Sequence, residues 1–203
     1  YFWTSFSRFD LEGSPASYNP KSLSSDQVRK MFSDSLDEVV ETSLLLRSCP
    51  VQSELIRINP SKSTAAKFCG DRTLAGLVKA IHGIEISAPK LPESNFVLCH
   101  GDPLLKNIIL TEYGFRLIDW ENFSIHPEYS DAAHGTAWAL MRQDDKIWPS
   151  FLEEFMPKIE LWMNLHEDEV RTVLFWSVIK EAIFWKQKND FDPVYQAAKS
   201  HLI

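Results

Sequence analysis

The sequence has no long hydrophobic run: no apolar stretch reaches the ~18 residues a helix needs to cross a bilayer, so an integral membrane protein is not expected. It has no block of Lys or Arg either. Its 21 basic residues are outnumbered by 28 acidic ones, for a formal net charge of −7. Nucleic acids and anionic membrane surfaces both call for a basic footprint, so neither is expected as a partner. The acidity suits a cationic or neutral small substrate slightly better. Cysteine is scarce, and Cys49, Cys69 and Cys99 show no C-x-x-C spacing. They read as buried free thiols of a reducing cytoplasm, not as a disulfide framework. The six histidines form no H-x-x-x-H and no Cys/His zinc spacing. No G-x-S-x-G elbow is present, which removes one class of serine hydrolase. Tyr1-Phe2-Trp3 has no basic start and no small-residue cleavage site, as a signal peptide would, and there is no initiator Met. The chain is therefore expected to begin partway through a longer gene product.

What the sequence does have is enough apolar material for a real core. Of 203 residues 44% are apolar, including thirteen Phe and seven Trp, within the ordinary globular range. Tyr1 to Phe9 is aromatic and reads as a strand, and a Ser/Pro/Asn-rich loop follows. From Ser24, with capping-box spacing to Gln27, the residues Val28, Met31, Phe32, Leu36, Val39, Val40 and Leu44 repeat on one helical face as far as Arg47. A second helix is expected through Leu74, Leu77, Val78 and Ile81, ending near Gly83. Phe96–Cys99 is a short apolar strand. Two more, 108–111 and 115–118, flank Glu112-Tyr113-Gly114 and read as a tight hairpin. Beyond Tyr129 the pattern is helical: 131–141, then 148–163 with a bend at Pro157, then 167–186, then 193–202. Along the third of these, Val170, Leu174, Phe175, Val178, Ala182 and Trp185 face inward. The fold class is α+β, mostly helical, with a small β-hairpin near its middle.

The chemistry concentrates in His100-Gly101-Asp102-Pro103-Leu104-Leu105-Lys106-Asn107 and, after the hairpin, Leu117-Ile118-Asp119-Trp120-Glu121. Phosphoryl transfer asks little covalent help of a protein. It needs a carboxylate to orient the attacking hydroxyl and accept its proton, and oxygen ligands to hold Mg2+ on the phosphates. Mg2+ is commonly held by one or two carboxylates together with waters and phosphate oxygens. Asp102, Asn107 and Asp119 have those chemistries. A hairpin reverses the chain, so Asp119 is expected to return beside Asn107. Singly, each reads as an ordinary turn or cap residue; together, at this spacing, that reading fails.

The pattern H-G-D-x-x-x-x-N, a hairpin, then I-D-W-E resembles the aminoglycoside phosphotransferase and choline kinase superfamily, small-molecule relatives of the protein kinases. The resemblance covers residues 96–135. It implies that Asp102 is the catalytic base and that Asn107 and Asp119 are Mg2+ ligands. His100 and Gly101 resemble the start of the catalytic loop, and Asp131 the aspartate that braces it. ATP is the implied phosphate donor, with a small hydroxylated molecule as acceptor. The implied architecture is a single protein-kinase-like C-terminal lobe over 1–203: a hinge-like strand and loop at 1–12, first helices over 24–95, the catalytic loop and hairpin at 96–121, and C-terminal helices over 129–203. An N-terminal β lobe that covers the nucleotide is expected upstream of Tyr1, and without it the chain is expected to be inactive or nearly so. A cytoplasmic location fits.

In the family the acceptor lies between the catalytic loop and the C-terminal helices. Here that region holds Trp162, Phe175, Trp176, Phe184 and Trp185, with acids Glu160, Glu167, Asp168 and Glu181. Most of these aromatics read as core; Glu121, Trp176 and Glu181 are the candidate substrate contacts. Lys106 reads as a solvated lysine, and His134, one turn from Asp131, as a packing or helix-surface residue. Residues 59–64 end like a phosphate-binding loop, but Ile56 and Ser61 occupy its two glycine positions. The rival reading is a catalytically silent kinase-like binding module. The intact Asp102/Asn107/Asp119 set argues against it, and the missing small lobe argues for it.

Overall fold

The computed structural model describes residues 24–48, 72–87, 90–103, 107–111, 114–185 and 188–203. The expected strand at Tyr1–Phe9, Cys49 and Cys69, the loop at 59–64 and Lys106 lie outside them. Among the described residues are six α-helices and four short strands: α1 (Ser25–Arg47), α2 (Arg72–His82), β1 (Phe96–Cys99), β2 (Ile108–Thr111), β3 (Gly114–Leu117), β4 (Ser124–Pro127), α3 (Ser130–Met141), α4 (Trp148–Met163), α5 (Glu167–Trp185) and α6 (Lys188–Leu202). The mostly helical α+β class read from the sequence is the one found.

The helical periodicity of α1 puts Val28, Phe32, Leu36, Val39 and Val40 on one buried face. Leu44 departs from the expected stripe and is 42% exposed. The Phe32 ring meets Phe151 and Phe155 of α4 at 5.0 and 5.3 Å between centroids. Near the other end Trp162 donates its indole N–H to the Ser43 hydroxyl at 2.8 Å. Arg47 closes the helix by donating to the carbonyl oxygens of Trp162 and Glu128 and pairing with the Glu128 carboxylate at 3.3 Å. α1 is thereby fastened to the segment that leads into α3. α2 ends as expected, with Gly83 in the left-handed region at φ +74° and its N–H bonded to the Lys79 carbonyl.

α3 is the central helix. Asp131, Ala132, Ala133, Gly135, Thr136, Ala137, Trp138, Ala139 and Leu140 are all buried, and most of these side chains are small, so neighbouring segments can approach closely on several sides. A Cβ on Gly135 would lie 3.0 Å from the Trp162 ring and 3.2 Å from the Pro103 carbonyl oxygen. The absent side chain lets the loop after β1 and helix α4 both close onto α3. α4 spans the range its periodicity indicates and continues through Pro157, which is exposed. Val170, Leu174, Phe175, Val178 and Ala182 of α5 are buried as expected. α6 starts five residues before the expected Pro193. Phe191 is fully buried and stacks on His82 of α2 at 3.8 Å, and that packing holds the extra turn in the helix.

The strands form two separate antiparallel pairs. β2 and β3 make the expected hairpin, with Ile108 opposite Leu117 and Thr111 opposite Gly114. β1 pairs with β4, Phe96 opposite Pro127 and Cys99 opposite Ser124. β4 was not expected. Ser-Ile-His-Pro carries almost no alternation, and Pro127 suits only a strand end. Cys99 is buried, and burial raises its thiol well above the ordinary range, in line with the inert free thiol expected there.

Candidate active site

The loop leaving β1 is set by backbone geometry before any side chain acts. Gly101 has φ +85°, and a Cβ there would stand 2.3 Å from the Asn122 carbonyl oxygen. Only glycine fits both the left-handed turn and the close approach. The next constraint comes from α3. Asp131, 4% exposed, accepts the His100 N–H on Oδ2 at 2.7 Å and the Gly101 N–H on Oδ1 at 2.9 Å. A carboxylate satisfying two buried backbone donors is a strong, charge-assisted clamp. The bracing role expected of Asp131 has this geometry behind it.

His100 links the loop to the hairpin. Its side chain is fully buried. Nε2 donates to the Ile118 carbonyl at 2.9 Å, and Nδ1 accepts the Asp102 N–H at 3.3 Å. Those two bonds define a neutral ring with its proton on Nε2. Burial pushes its pKa down, against the pull of Asp131 and Asp102, and so maintains that neutral form. The ring also lies against Trp120 at 4.4 Å. One histidine thus ties the backbone of Asp102 to the residue just before Asp119.

Asn107 is nearly buried, 4% exposed. Its amide nitrogen donates to both the backbone oxygen and the Oδ2 of Asp102, at 2.8 and 2.9 Å. The backbone carbonyl of Asn107 accepts the Ile118 N–H at 2.8 Å. The hairpin therefore returns the chain to Asn107, as the sequence suggests, and Asp119 follows directly. Asp119 is exposed and adopts a left-handed backbone at φ 64°, ψ 61° before the short 3-10 turn Trp120–Asn122. Aspartate tolerates that conformation better than most residues.

This donor set can be tested for Mg2+. With the Asn107 nitrogen turned to Asp102, its Oδ1 points the other way, and among the described residues no hydrogen bond ends on it. An amide oxygen and an exposed carboxylate then lie on adjoining segments. Among the described residues no group of three His, Cys, Asp or Glu side chains gathers as a complete cage. An amide oxygen and a carboxylate are donor types that Mg2+ accepts alongside phosphate oxygens and water.

The remaining candidates are placed differently. Trp176 and Glu181 on α5 are 2% and 4% exposed, and the Glu181 carboxylate is 2.9 Å from His134 Nδ1. Glu121 lies in the 3-10 turn after Asp119. His134 was expected to be a packing or surface residue, and the geometry corrects this: its Nε2 reaches Asp102 Oδ1 at 3.1 Å while Nδ1 reaches Glu181. The sequence signal that pointed to it was its i,i+3 spacing from Asp131, which puts both on one face of α3.

Residues 70–158 match the model of the phosphotransferase enzyme family, APH. Comparison with the curated proteins found no match. Among solved structures, a choline/ethanolamine kinase family protein from Mesorhizobium loti is similar, at 16% identity over 94% of this chain and 72% of its own. The TM-score is 0.47, a likeness too distant to carry a conclusion about activity. The family match covers the whole segment from His100 to Asp131, and 89 of the 203 residues in all.

Proposed function

We propose that this chain forms the large lobe of an ATP- and Mg2+-dependent phosphotransferase acting on a hydroxyl of a small molecule: an amino alcohol, a sugar or an aminoglycoside-like compound. What supports the reading above all is the bonding of Asn107. One amide holds Asp102 through its nitrogen and leaves its oxygen for a cation, while its backbone is bonded to the residue before Asp119.

In this reading Asp102 receives the acceptor's hydroxyl. The oxygen attacks the γ-phosphorus, a new O–P bond forms as the β–γ bridge bond breaks, ADP leaves, and the hydroxyl proton passes to the Asp102 carboxylate. Mg2+, held by Asn107 Oδ1 and the Asp119 carboxylate, would supply charge neutralisation on the phosphates. His100 and Asp131 keep the loop backbone fixed, so the approach of hydroxyl and carboxylate is set in advance. Of the expected acceptor-side residues Glu121 remains a candidate, whereas Trp176 is 2% exposed and Glu181 is 4% exposed and engaged by His134.

The test is transfer of labelled γ-phosphate from Mg-ATP to a panel of amino alcohols, sugars and aminoglycosides, using the full-length protein that carries residues 1–203. Asp102→Asn is expected to lower transfer by ~10²–10⁴-fold, the range for a lost acid–base group, with folding and nucleotide binding intact. Absence of both transfer and Mg-ATP binding in the unmodified protein would favour the silent binding module instead.

A further inference from the structure

Helix α3 reaches the catalytic loop twice. Asp131 holds its backbone, and one turn later His134 holds the side chain of Asp102 itself. The imidazole bridges two carboxylates on different elements, with Nε2 3.1 Å from Asp102 Oδ1 and Nδ1 2.9 Å from Glu181 Oε1. The three side chains are 20%, 15% and 5% exposed for His134, Asp102 and Glu181. Two acceptors on the two ring nitrogens require a proton on each, so the ring is an imidazolium. Burial works against that charge, and Lys180 opposes it too, but the bonds to Asp102 and Glu181 outweigh them and raise the ring's pKa to about 9. On the other side of the same carboxylate, Asn107 holds Oδ2.

Resting on the phosphotransferase reading, we propose that His134 is a positioning residue for Asp102, gripping Oδ1 while Asn107 grips Oδ2, with Glu181 fixing the imidazole in place. The terminal torsion of an aspartate is broad and roughly two-fold, so bonds at both oxygens constrain it more than a bond at one. Held at both oxygens, the carboxylate plane is fixed before any substrate arrives. A neighbouring imidazolium also weakens Asp102 as a base. That suits a reaction in which orientation and charge placement carry most of the catalysis. His134 does not itself meet the substrate in this arrangement. Glu181 acts through it, from the helix packed against α3.

The experiment compares the full-length protein with His134→Ala, His134→Gln and Glu181→Gln, each first shown to fold by cooperative unfolding. His134→Ala is expected to lower kcat by ~10²-fold, the penalty for a misplaced reacting group, with KM for Mg-ATP and acceptor little changed. His134→Gln keeps one N–H donor for Oδ1 and should recover most of that loss. Glu181→Gln keeps an acceptor for Nδ1 and should fall between the two. A kcat equal to wild type in folded His134→Ala would overturn the proposal, as would an equal loss in the Ala and Gln variants. A second readout does not depend on turnover. In 15N-labelled protein without substrates, both His134 ring nitrogens should be protonated at pH 7.5, and Asp102→Asn should shift the Nε2 signal. An unmoved signal would show that the contact is absent and overturn the proposal by itself. Absence of transfer by the wild type would sink the phosphotransferase reading, and the proposed grip on Asp102 would then be decided by the ring signals alone.

Discussion

Removing the Asp131 carboxylate should destabilise the protein more than any single change in the loop it clamps. Its two oxygens accept the His100 and Gly101 N–H groups at 2.7 and 2.9 Å, at a site where Asp131 is 4% exposed and His100 fully buried. A hydrogen bond to a charged group contributes ~1.5–3 kcal/mol, and an orphaned buried donor costs a similar amount. Asp131→Ala strands both donors, so the expected loss is about 3–5 kcal/mol, as for breaking a buried charged network. Asp131→Asn retains one acceptor oxygen and turns an N–H₂ toward the other donor, so about 2 kcal/mol is expected. Urea unfolding followed by tryptophan fluorescence reads both. With a slope of ~2 kcal/mol/M, the midpoints should drop by roughly 2 M for the alanine and 1 M for the asparagine. The asparagine variant matters because the alanine one can approach the total stability of a typical domain, ~5–15 kcal/mol. Midpoints within experimental error of wild type in both variants would refute the reasoning, since they would mean the loop N–H groups find water or other acceptors at no cost.

Two further outcomes follow from the same geometry. Gly101→Ala places a Cβ 2.3 Å from the Asn122 carbonyl at φ +85°, so the loop must shift. Transfer should fall by an order of magnitude or more, and stability by about 1–3 kcal/mol, read by activity and by thermal unfolding. The alkaline limb of stability should report His134. Its pKa rises on folding from 6.5 to about 9, so its contribution is complete below pH 6.5, declines between 6.5 and 9 and is absent above. The size is about 3 kcal/mol at most, and His134→Gln should flatten that limb in urea titrations at pH 6, 7.5 and 9.

The sequence determined the local chemistry of the site and most of the helices that carry it. Gly101 could be placed at the start of the loop from the H-G-D pattern alone, while its left-handed backbone and close approach to Asn122 came from the structure. The hairpin is legible because two short apolar runs flank a glycine turn. α1 and α4 are legible because a 3.6-residue repeat of apolar side chains is written along the chain. Those signals are all local. The tertiary structure alone decided what lies far apart in sequence. Residues 102, 134 and 181 are separated by 32 and 47 positions, and no periodicity links them. His134 became a holder of Asp102 only because small side chains let α3 lie close to both the loop and α5. The same holds for β4, whose four residues carry no strand signal of their own and extend because β1 offers them a partner. It holds too for the first turn of α6, kept helical by Phe191 packing on His82. A lone histidine beside an aspartate reads as surface until packing supplies the second carboxylate, screens the three groups from most solvent, and makes the charge on the ring the favourable state.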